Sequence, residues 1–167
     1  MRDRARALAP AAVGAWWAYV VVDFLTHAVV LARWWRATGA FWLAPHELAR
    51  RIPIAYAGFA IYCLGLVVLL VLLRGERPSV GTGLRLGAIV GIAYGVASAL
   101  CIYSAVDLPA SFLLVGPAAV TVASATAGAA GAWVLGGVGR WRRVGAALGL
   151  GLLALIAAIL AQNVLHS

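Results

Sequence analysis

The chain has no lysine. All 13 of its basic residues are arginine, and they are set against only five acids, Asp3, Asp23, Glu47, Glu76 and Asp107. No P-loop, GxSxG or HExxH motif is present, and the acids are too sparse and scattered to form a paired-carboxylate site, so enzymatic catalysis has little to stand on. Only two cysteines occur, Cys63 and Cys101, and without CxxC spacing they offer neither a zinc knuckle nor a redox dithiol. They fall at different depths in their apolar runs, which argues against a disulfide and leaves them as small buried side chains. Charge itself is scarce, at 11% of residues against 65% hydrophobic and a mean hydropathy of +1.00, which excludes an ordinary soluble domain.

What is present is a series of long apolar runs, at about 11–33, 52–73, 83–105, 111–138 and 144–165. A hydrocarbon core of about 30 Å needs roughly 20 apolar residues in helix, and backbone groups cannot stay unpaired in lipid. The runs lack the alternation of barrel strands. The expected fold is all-α, a polytopic bundle of five transmembrane spans forming one integral membrane domain over residues 1–167. The arginine-rich start could introduce a secretory signal, but the run that follows is long and lacks a convincing small-residue cleavage site, so it reads as a retained first helix.

The arginines behind the formal charge of +8 lie almost entirely between the spans, Arg85 being the one inside a span. Arg2, Arg4, Arg6, Arg74, Arg77, Arg85, Arg140, Arg142 and Arg143 fall on one side, and Arg33, Arg36, Arg50 and Arg51 on the other. The positive-inside rule places the N-terminus in the cytoplasm. Anionic lipid is the expected partner of the basic side; nothing resembles a nucleic-acid motif.

Trp16 and Trp17 precede Trp34 and Trp35 by about 27 Å of helix, close to the hydrocarbon thickness. The two pairs are therefore expected at the membrane interfaces, with Trp42 and Trp141 as further interfacial residues. Residues 34–51, WWRATGAFWLAPHELARR, are too polar to span and too aromatic for a solvated loop, and are expected to lie on the outer surface. Pro53 is expected in the first turn of the second helix, and the RGERPSVGTG turn should leave the second and third helices antiparallel neighbours. Asp107 is a candidate cap for the fourth helix, in which Pro117 should cause a kink or a late start.

Asp23 and His27 stand four residues apart on one helical face, and the tryptophan spacing puts them about the midplane. Intramembrane ionisable groups face a bundle interior and mark an ion path, a ligand contact or a structural hydrogen bond. A carboxylate beside an imidazole can relay protons or simply fasten helices together; both readings stay open. Arg85 either snorkels to the cytoplasmic surface or turns inward to complete an Asp23, His27 and Arg85 cluster, which Tyr19, Thr26, Tyr94 and Tyr103 would extend. A bis-histidine haem would need a second buried histidine, whereas His46 and His166 lie outside the spans, so no cofactor or metal is expected.

Gly83, Gly87, Gly91 and Gly95 recur every fourth residue and bare one face of the third span. Ser124, Gly128, Ala132 and Gly136 repeat that spacing in the fourth, which makes the two spans a matched packing pair. The fifth run has no polar side chain before Gln162 and reads as a lipid-facing anchor.

The segments VDFLTHAVVLARWWRATGAFW (22–42) and GLRLGAIVGIAYG (83–95) resemble a group of small, uncharacterised bacterial multi-pass membrane proteins. The shared patterns are DFxxH in the first helix and GLRxG opening a later one, matched by Asp23, Phe24, His27, Thr38, Trp42, Leu84, Arg85 and Gly87. The chain departs from the group at Ala28, around Leu43 to Glu47, and in its added fifth span. The resemblance implies a place in the bacterial inner membrane and carries no activity. The resulting expectation is a non-enzymatic structural or accessory subunit of a larger membrane assembly, partnered by lipid and by other subunits or itself; the alternative is a small proton-coupled carrier using the Asp-His pair.

Overall fold

A computed structural model describes residues 2–37, 45–75 and 77–166. The described residues are all-α. The helices are α1 (Arg2–Leu25), α2 (Ala32–Ala37), α3 (Pro45–Arg74), α4 (Val80–Ala105), α5 (Phe112–Leu135) and α6 (Arg140–His166), with a π-helical stretch, Thr26–Val30, extending α1. Five spans are long and apolar enough to cross a membrane: Ala7–Val30, Arg50–Arg74, Val80–Ala105, Phe112–Leu135 and Arg140–Ala161. This is the make-up of a multi-pass membrane protein. The end that holds the N-terminus and the α3–α4 and α5–α6 turns is called here the arginine-rich end; the opposite one is the far end.

Helix α1 runs through Pro10 back to Arg2, earlier than the apolar run alone indicates, because the Arg- and Ala-rich start is itself helix-forming. α3 starts at Pro45, where the missing N–H is no loss, and its 30 residues extend about 45 Å, longer than a bilayer core. The expected outer surface segment is thus divided. Residues 32–37 form α2, residues 45–51 are the opening turns of α3, and Pro53 lies inside that helix rather than in its first turn. Thr38 and Trp42 lie outside the described residues.

α4 is capped by Ser79, whose hydroxyl accepts from the Thr82 N–H at 3.1 Å. α5 begins at Phe112 after a tight turn in which the N–H groups of Phe112 and Leu113 donate to Pro109 and Ala110. Asp107 is exposed and lies before that turn, so it is not the cap; Ser111 occupies the position. Pro117 sits within α5, buried, and Thr121 donates its hydroxyl to the Pro117 carbonyl at 2.7 Å.

The core forms around α1 and α5. Ala7, Ala11 and Ala15, an i, i+4 stripe of small side chains, are buried among Cys63, Leu66, Val67 and Leu70 of α3, Ala123, Ala127 and Leu135 of α5, and Val144 of α6. α4 packs almost wholly on α5, and hardly at all on α3 although a short turn joins them. α3 and α4 are therefore neighbours in sequence more than in space, contrary to the expectation from turn length. The glycine stripe is the reason: a bare face lets backbones approach, so α4 seats on the small residues of α5. Gly83, Gly87, Gly91 and Gly95 are all buried. A Cβ on Gly83 or Gly87 would collide with the carbonyl of Gly128 or Ser124, one on Gly91 would stand 2.7 Å from the Ser124 Cβ, and one on Gly95 2.9 Å from Pro117 Cα. Ala132 faces Gly83; Gly136 is exposed at the C-cap of α5, outside this seam, which Thr121 and Pro117 continue instead.

Candidate functional site

Asp23 lies in the last turns of α1 and His27 in the π-helical stretch that follows. There the hydrogen bonds lengthen to i, i+5, as in the bond from the Leu31 N–H to the Thr26 carbonyl at 2.8 Å. Single π-helical turns of this kind often mark functional sites. The His27 Nδ1 is 2.9 Å from the Asp23 main-chain oxygen and 3.4 Å from Asp23 Oδ1. A carbonyl can only accept, so Nδ1 carries the proton and, in the neutral ring, Nε2 is left as an acceptor. Both side chains are partly exposed, at 36% for His27 and 21% for Asp23, so the pair borders open space instead of being sealed in the core.

His27 borders a cleft of about 220 Å³ at the far end, lined also by Trp35, by Gly95, Ser98, Ala99 and Ile102 of α4, and by Phe112, Gly116 and Val120 of α5. Trp35 stacks on the imidazole with centroids 5.3 Å apart and planes at 22°, and stands edge-on to Trp34 at 4.5 Å. Trp34 in turn donates its indole N–H to the Ser111 hydroxyl at 3.3 Å, tying α2 to the start of α5. His27 and Asp23 offer two metal donors, and no third joins them among the described residues.

Arg85 does not belong to this site. It is exposed on α4, about 200° around the helix from the buried Gly83 and about 20 Å along it from Ser98, which lines the cleft. Its side chain points away because the glycine stripe holds the opposite face against α5. Tyr94 packs against Tyr62 with ring centroids 5.2 Å apart and planes tilted by 33°, and Tyr103 is exposed.

The pair also lies off the centre of the first span. The midpoint of the Ala7–Val30 span falls near Tyr19, so Asp23 lies about 6 Å and His27 about 12 Å toward the far end. The ruler misleads because Trp16 and Trp17 are packing residues within the bundle. Trp17 lies against Gly151 in the middle of α6, and the Trp16 indole donates to the Tyr56 carbonyl at 3.0 Å. Trp34 and Trp35 do lie at the far end, and Trp141 is exposed at the start of α6.

A second polar feature was missed in the sequence. The Tyr62 and Ser124 hydroxyls meet 2.8 Å apart, Ser124 being fully buried, and Tyr62 leans edge-on against the buried Tyr19 at 5.7 Å, which also contacts Phe59 at 4.6 Å. One signal was available: Ser124 stands in the middle of an Ala- and Gly-rich span, where a hydroxyl on a packed face can hydrogen-bond across to another helix. No family model matches the chain, and no curated protein or solved structure matches it.

Proposed function

We propose that the protein is a non-enzymatic structural or accessory subunit of a larger assembly in a bacterial inner membrane, with its N-terminus in the cytoplasm. The observation that carries this reading is the bareness of α6. Only 6% of its most apolar stretch is buried within the chain, against 39% for the first span, and its exposed face includes Gly145 and Gly149 with nothing within 4 Å of either Cβ position. Glycine contributes little to a lipid contact and weakens a helix, whereas a GxxxG spacing suits a second helix approaching closely. α3 carries two further glycines, Gly58 and Gly65, two turns apart and equally open. The arginine asymmetry supports the orientation, and the DFxxH and GLRxG resemblance supports the bacterial membrane.

The test is the mass of the particle in mild detergent or native nanodiscs. A complex well above the 17.3 kDa of one chain is expected, and its dissociation by Gly149→Ile; a stable lone monomer overturns the reading. The carrier alternative has weaker support. His27 of the pair borders a cleft at one end of the bundle, and the closely packed α4–α5 seam lies between that cleft and the arginine-rich end.

A further inference from the structure

We propose that the cleft beside Trp35 is a binding site for a ring-bearing membrane alcohol of the phenol or hydroquinone kind, held by a hydrogen bond from its hydroxyl to Nε2 of His27. The imidazole is set up for this role from behind. Its Nδ1–H is committed to the Asp23 carbonyl at 2.9 Å, with the Asp23 carboxylate at 3.4 Å, so the ring presents a bare acceptor on its other side. Second-sphere partners of this kind fix a histidine tautomer and the orientation of its ring.

Among the described residues the cleft presents no exposed, uncommitted donor. Ser98 already donates to the carbonyls of Tyr94 and Gly95 at 2.7 and 3.2 Å, and the indole N–H of Trp35 is buried in the wall. An acceptor in apolar surroundings gains most from a donor brought by a ligand. An anionic ligand is disfavoured, since no arginine among the described residues lines the cleft.

Size and wall chemistry narrow the class. An apolar cavity of about 150 Å³ takes benzene, so about 220 Å³ suits a substituted six-membered ring and is too small for a whole lipid. Trp35, stacked on His27, and Phe112 offer aromatic faces and edges to such a ring. Gly116 keeps the wall open, since the nearest atoms a Cβ there would meet are those of the Phe112 ring, at 3.5–3.8 Å, an ordinary contact distance. A hydrocarbon tail can leave sideways between α1 and α4, which share no extended contact, into the bilayer.

The experiment uses the full chain in nanodiscs, labelled with ¹⁵N-histidine, with 4-propylphenol, its O-methyl ether and n-octanol as probes. The phenol is expected to move the His27 Nε2 resonance saturably while the His46 and His166 resonances stay put. By calorimetry it should bind roughly tenfold more tightly than the ether, the scale of one hydrogen bond. His27→Phe should erase the preference for phenol over ether, and Gly116→Leu should abolish the saturable shift while helicity by circular dichroism is retained. Equal binding of phenol and ether, or a preference that survives in His27→Phe, overturns the proposal. Octanol binding as tightly as the phenol overturns the ring requirement, and an undiminished shift in Gly116→Leu overturns the location. If His27→Phe does not fold, the wild-type comparison and Gly116→Leu decide.

Discussion

The hydroxyl pair of Tyr62 and Ser124 shows how little polar chemistry this bundle carries and how specific that chemistry is. Ser124 is sealed between α3, α4 and α5, so its oxygen can find a side-chain partner only across helices. Tyr62→Phe should lower stability by about 0.5–1 kcal/mol, the usual worth of an interhelical hydrogen bond in a membrane, read from unfolding in mixed micelles. In a double-mutant cycle with Ser124→Ala the losses should not add; strict additivity would show that the two groups do not interact. At this scale the sequence is only partly legible. Asp23 and His27 stood out because two ionisable groups at i, i+4 in an apolar run demand a mutual explanation. Their depth did not, since a tryptophan that packs on a glycine, as Trp17 does on Gly151, looks the same in sequence as one that marks an interface. Arg85 was recoverable in principle: two positions from a buried glycine is about 200° of helix, which turns the side chain away from any face the glycine buries.

Among the elements, the α4–α5 seam makes the sharpest distinction between one glycine and another. Gly87 is seated against the Ser124 backbone, so Gly87→Leu must push the helices apart and should destabilise by roughly 1–3 kcal/mol or more. Gly145→Ala adds a methyl into open space and gains helix propensity, so it should be neutral or stabilising by up to about 1 kcal/mol. Thermal unfolding of the two variants side by side measures the contrast, and equal effects would count against the seam as drawn. The fourfold glycine spacing announced this contact in the sequence because no other residue type leaves backbone bare over three turns. The π-helical stretch gave no such signal. The residues Thr26–Val30 have no property that distinguishes a wide turn from a normal one; the surroundings of His27 and Trp35 decide it. A wide turn also sets the rotation of all that follows. Deleting Ala28 should restore regular α-helix, turn α2 by about 100°, and separate Trp35 from His27. The Trp34–Ser111 hydrogen bond would be lost with it, and crosslinking between cysteines placed at 34 and 111 would report the change as a lost crosslink.

For the whole molecule, orientation is the most direct expectation to check. With the N-terminus inside, a cysteine replacing Asp107 in a cysteine-free background should react with an impermeant maleimide added to intact cells, and one replacing Arg77 only after permeabilisation. The reverse pattern would invert the topology. The number of spans was legible because hydropathy integrates over some 20 residues, whereas the pairing of helices was not, since it depends on which faces match rather than on how apolar each is. The dependence of α4 on a single neighbour carries a consequence for biosynthesis. Helices leave the ribosome in order, and α4 has no other companion on which to seat its glycines until α5 follows it. The α4–α5 hairpin is then the first glycine-mediated pair the chain can complete, and α1, which can already meet α3, gains its larger surface only when α5 follows. A chain truncated after α4 would expose four glycines to lipid or to quality-control proteases, so its half-life in cells should fall abruptly compared with a chain ending after α5.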